Sequence, residues 1–67
     1  MNTTLTLSPV QMHRTFTAME KHGGGFCSRL ASAWYAADPS NKRRIEVAFP
    51  HLLNDFGPGS RFYSDTH

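Results

Sequence analysis

The chain's 67 residues carry seven Lys and Arg against five Asp and Glu, a formal charge of +2, with a single cysteine. A chain this short holds at most one domain and buries only about 60% of its unfolded surface, so its stability is marginal without help, usually a disulfide, a structural metal or a partner. One cysteine excludes an internal disulfide, and so small a charge is too weak to argue for nucleic-acid binding as a property of the whole chain.

The metal option is poor as well. His13, His22, His51 and His67 are scattered, with no Cys-x-x-Cys and no His-x-x-x-His spacing, so neither a metal nor another cofactor is expected. What remains is a partner, and self-association into a homodimer is the first expectation from size. The lone Cys27 and the lack of a signal-peptide pattern fit the cytoplasm. No segment approaches the roughly 20 apolar residues of a membrane helix, so no membrane role is expected.

Residues 1–7, MNTTLTL, read as a tail or a short edge strand. Ser8 then caps a first helix, Pro9 takes its first position, and Gln11 completes a capping box. Val10, Met12, His13, Phe16 and Met19 supply an irregular apolar face. The helix should end near Lys21 or His22, because Gly23 to Gly25 cannot be held helical cheaply. A second helix begins near Gly25 or Phe26, with Phe26, Leu30, Ala33, Trp34 and Ala37 as its stripe.

Asp38-Pro39 closes that helix near Ala37 and opens the next, because the residue before proline is pushed out of the helical region. Ile45, Ala48, Phe49, Leu52, Leu53 and Phe56 keep one helical register through Pro50. They predict one kinked helix, or two nearly coaxial ones, sharing a buried face. Gly57-Pro58-Gly59 ends it, and residues 60–67 form a tail able to dock through Phe62 and Tyr63. The predicted fold is all-α: a single domain over residues 1–67, built as a helical hairpin plus a third, Pro-kinked helix, and open to dimerisation. Leu30, Trp34, Ile45, Phe49 and Leu53 are expected among the most buried residues.

His22-Gly23-Gly24-Gly25 has the form of a lipase-type oxyanion hole. It lacks the preceding strand, the nucleophile turn and an acid to orient His22, and it reads as a break between helices. No phosphate-cradling glycine motif is present either. Cys27 falls in the first turn of the second helix, where the dipole lowers a thiol pKa, but without a His–Asp or His–Asn companion it reads as packing. No enzyme is expected.

Lys42-Arg43-Arg44 is the only charge run. Three basic side chains in one helical turn fan over more than half the circumference, so they form either a solvated face or a contact with something negative. That contact is a protein surface or, as the alternative, the phosphates of DNA or RNA. Trp34 and Tyr35 point about 100° apart on a helix, so the outer of the two is a candidate anchor for a partner. The expected partner-binding residues are therefore Lys42, Arg43, Arg44, Trp34 and Tyr35.

Residues 26–57 read FCSRLASAWYAADPSNKRRIEVAFPHLLNDFG. The stretch resembles small proteins encoded in phages and prophages of Gram-negative bacteria, with the pattern F-x-x-x-L-A-x-A-W-x-x-A-D-P-x-N-x-x-R-I-E-x-A-F-P. Phe26, Leu30, Ala31, Ala33, Trp34, Ala37, Asp38, Pro39, Asn41, Arg44, Ile45, Glu46, Ala48, Phe49 and Pro50 match it. The resemblance covers about half the chain, leaves residues 1–25 outside and carries no catalytic residue. It implies a phage-borne protein in a bacterial cytoplasm. Small phage proteins of this kind often bind and disable a host protein, CRISPR and other defence machinery included. The favoured expectation is a non-enzymatic protein-binding inhibitor or modulator of such a host system.

Overall fold

The computed structural model describes residues 7–64, which form five helices and no strand. They are α1 (Pro9–His22), α2 (Gly24–Ala36), α3 (Pro39–Ala48), α4 (Pro50–Phe56) and the single turn α5 (Arg61–Ser64). The all-α fold follows the sequence reading. The tail-or-strand expectation for residues 1–7 lies outside the described residues, save for Leu7, which packs against the core.

The local signals act where the sequence puts them. Ser8 Oγ accepts from the Gln11 backbone N–H at 3.1 Å, and Gln11 Oε1 accepts from the Ser8 N–H at 2.9 Å. This closed capping box satisfies two donors at the start of α1. At the other end Gly23 sits so close to α2 that a Cβ would lie 2.7 Å from the Met19 carbonyl oxygen and collide with Cys27. Gly24 has a φ of 80°, a left-handed conformation that only glycine adopts without cost. The glycines therefore make a tight reversal that folds α2 back onto α1.

Met12, Thr15, Phe16, Ala18 and Met19 of α1 meet Cys27, Ala31 and Trp34 of α2. Phe16 and Trp34 stack with ring centroids 4.4 Å apart and planes within 2°. Thr15 is fully buried, and its hydroxyl donates to the Gln11 carbonyl at 2.8 Å, so no polar group is stranded. The expected faces shift accordingly. Phe26 and Ala33 are exposed, Leu30 is half-buried, and Val10 and His13 lie outside. Because α2 is apolar over much of its circumference, two stripes one residue apart both fit a helical period, and contact with α1 selects the inner one.

The segment after Pro39 divides at Phe49, whose φ of −128° and ψ of 57° leave the helical region before Pro50. The Phe49 N–H still reaches the Ile45 carbonyl at 3.2 Å, while its own carbonyl accepts from Leu52 N–H at 3.2 Å. One residue thus ends α3 and begins α4. The two halves find different neighbours: α3 packs on α2, and α4 packs on α1. Leu52, Leu53 and Phe56 are buried under α1, whereas α3 has no fully buried residue. The expected continuous buried face is replaced by two, which is why Ile45 and Phe49 are half-buried and Ala48 is exposed. The tail docks as one helical turn, with Phe62 5.3 Å from Phe56 and 5.1 Å from His22 between ring centroids.

Candidate partner-binding groove

The turn from α2 into α3 brings Trp34 back against residues a dozen positions later. Asp38 Oδ1 accepts from the Asn41 N–H at 2.9 Å and fixes the start of α3. Glu46 then faces the indole, and Trp34 Nε1 donates to Glu46 Oε2 at 2.9 Å. Lys42, one turn earlier, reaches the end of α2. Its ammonium donates to the Ala37 carbonyl at 2.9 Å and the Tyr35 carbonyl at 3.4 Å, and lies 4.8 Å from the centre of a Trp34 ring. Lys42 is thus a C-terminal cap for α2 and a cation over an aromatic face.

These contacts leave an open groove of about 460 Å³, lined by Leu7, Pro9, Met12, Trp34, Pro39, Lys42, Arg43 and Glu46. Its floor is apolar and comes from the starts of α1 and α3 together with Trp34. Among the described residues both carboxylates near it are engaged: Asp38 with a backbone N–H, Glu46 with the indole. Arg43 is exposed and has no ion-pair or hydrogen-bond partner among the described residues.

Of the five expected partner-binding residues, the groove gathers three: Trp34, Lys42 and Arg43. Trp34 is the inner member of the aromatic pair, 5% exposed, so it is a floor and not a protruding anchor. Tyr35 is half-buried and outside the groove, its hydroxyl 2.8 Å from Thr17 Oγ1. Since Thr17 Oγ1 gives its hydrogen to the His13 carbonyl at 3.0 Å, Tyr35 is the donor of that pair. Arg44 points to Asn41 Oδ1 at 3.2 Å and does not line the groove. The basic run is therefore three residues with three different surroundings. Glu46, Met12, Pro9 and Pro39 also line the groove, a placement that the sequence reading does not predict. Their only sequence signals are the two cap-proline pairs, Ser8-Pro9 and Asp38-Pro39, that bring the helix starts together.

Cys27 lies away from the groove, in the hairpin core. Burial pushes its thiol above the ordinary range, and the Asp55 charge adds to the rise. The direction is opposite to the lowering expected at the start of a helix. The His22 ring, at the end of α1, packs on Phe62 of the tail. No helix among the described residues is long and apolar enough to cross a membrane. No family model, curated protein or solved structure matches the chain.

Proposed function

We propose that the chain is a non-enzymatic protein-binding module that inhibits or modulates a host system, such as CRISPR interference, in a bacterial cytoplasm. The observation that carries the protein-binding reading is the groove: an apolar floor with Trp34 at its base and the Arg43 cation at its rim. Its volume lies within the range of about 300–1,000 Å³ typical of ligand sites. Aromatic and Arg side chains are the residue types that dominate binding energy at protein interfaces. The host setting is supported by the resemblance of residues 26–57 to phage-encoded proteins. A homodimer is a partner of the same class, for which Phe26, 61% exposed, offers apolar surface outside the groove.

The nucleic-acid reading has less support. It needs the basic run to act together on phosphates, yet Lys42 is committed to two carbonyls and an indole. Arg43 and Arg44 are consecutive helical residues and diverge by about 100°. The test is capture by the immobilised chain from bacterial lysate, with and without nuclease. One host protein retained after nuclease treatment, and lost with Arg43→Glu, is the expected result. Recovery that nuclease abolishes contradicts the reading and favours DNA or RNA.

A further inference from the structure

We infer that the groove receives a segment of a partner protein in which an apolar side chain stands next to an Asp or Glu. This rests on the protein-binding reading and names the chemistry of the partner. The apolar half follows from the floor: Leu7, Pro9, Met12, Trp34 and Pro39 offer carbon surface, and the indole N–H is already used by Glu46. An apolar side chain seated there displaces water from surface that makes few hydrogen bonds, which is the favourable kind of displacement.

The acidic half follows from charge complementarity. Lys42 gives its ammonium to the Ala37 and Tyr35 carbonyls, and Glu46 and Asp38 accept from the indole and from a backbone N–H. These bonds are to neutral groups and leave the charges in place, so the lining carries Lys42 and Arg43 against Glu46, a net +1, and Arg43 is the charged lining residue without a hydrogen-bond partner among the described residues. The start of α1 carries no acidic residue, so the positive end of its dipole adds to the same sign of potential, whereas Asp38 caps the start of α3. A guanidinium fork takes a carboxylate through two parallel hydrogen bonds, which fixes the orientation of the segment as well as its sign.

The proposal is tested with a display library of random heptapeptides, flanked on both sides by glycine-serine linkers and selected on the full chain. The best sequence is then made as an amidated peptide and titrated into the isotope-labelled protein. Trp34 is the only tryptophan, so its indole N–H gives one unambiguous groove signal. Enriched sequences should share an apolar residue beside Asp or Glu, and the peptide should move the Trp34 signal saturably. Arg43→Glu should weaken it at least about tenfold, whereas Arg44→Glu, the same charge change one residue outside the groove, should stay within about twofold. Selection without acidic residues, a peptide that leaves the Trp34 signal in place, or equal binding by Arg43→Glu overturns the proposal. A lysate protein that survives nuclease and is held equally by Arg43→Glu sinks this peptide chemistry while protein binding stands. Nuclease-sensitive recovery sinks protein binding itself.

Discussion

The indole of Trp34 donates to the Glu46 carboxylate at 2.9 Å, and the same indole stacks on Phe16 with centroids 4.4 Å apart. One side chain thus joins α1, α2 and α3. It ties the hairpin core to the groove, so a change at the groove rim is expected to report on stability as well as on binding. Glu46→Ala leaves the indole donor buried without its acceptor, and the expected cost is about 1–3 kcal/mol. Glu46→Gln keeps an acceptor oxygen and should lose less. Denaturant midpoints of the two variants check this order; equal losses would mean that the bond contributes nothing specific.

Lys42 and Arg43 are neighbours in sequence with opposite duties. Lys42→Glu removes a cap from α2 and places a carboxylate against two carbonyls and an indole, so it should cost about 1–2 kcal/mol. Arg43→Glu touches no internal partner among the described residues and should stay within about 0.5 kcal/mol. Thermal melts separate the two.

The three glycines should respond in a graded way. Gly23→Ala forces a Cβ against Cys27 and the Met19 carbonyl, an overpacking expected to cost about 1–3 kcal/mol. Gly24→Ala meets no neighbour but must adopt a φ of 80°, which costs roughly 1–2 kcal/mol. Gly25→Ala faces only the Arg29 side chain at 3.4 Å and should be neutral or mildly stabilising, within the roughly 0.5–1 kcal/mol that separates glycine from alanine in a helix. Melting temperatures in the order wild type or Gly25→Ala highest and both others lower are expected. A damaging Gly25→Ala would contradict the hairpin geometry.

Cys27 links stability to alkaline pH. Burial raises the folded thiol pKa above its unfolded value, so the stabilising contribution is complete below the unfolded thiol pKa and is lost as pH rises through the folded one. The melting temperature of the wild type should therefore fall more steeply than that of Cys27→Ala above the ordinary thiol range. Parallel curves for the two proteins would show that the thiol is not held in its neutral form.

What could be read in the sequence was local. Ser8-Pro9 with Gln11, and Asp38-Pro39, act through residues three positions away, and both caps form as read. The inner face of α2 was only partly local: Trp34 of the expected stripe is buried, but Cys27 and Ala31 take the places of Phe26, Leu30 and Ala33, because both sets have helical spacing and only α1 decides. The burial of Thr15 in α1 is not legible in the sequence, because its hydroxyl is satisfied within its own helix, which no apolar pattern reveals. The groove was legible as residue types, Trp34 and Arg43, but not as geometry. The bond from Trp34 to Glu46 depends on how the Asp38-Pro39 turn aims α3.

The same distinction sets two core substitutions apart. Phe16, 1% exposed, should cost about 3–5 kcal/mol on truncation to Ala. Phe49, half-buried at the α3–α4 break, should cost clearly less. Equal losses in chemical denaturation would restore the continuous buried face that the sequence suggested.

The central claim is that the groove beside Arg43 is the surface that meets a protein. It is tested most directly by placing a photo-crosslinking residue at position 43 and, in a second protein, at Glu20, an exposed α1 position outside the groove. Both are irradiated in nuclease-treated bacterial lysate. The expected result is a covalent adduct with one host protein from position 43 and none from position 20. Adducts of equal yield from both positions, or from neither while untreated lysate yields nucleic-acid adducts from position 43, would contradict it.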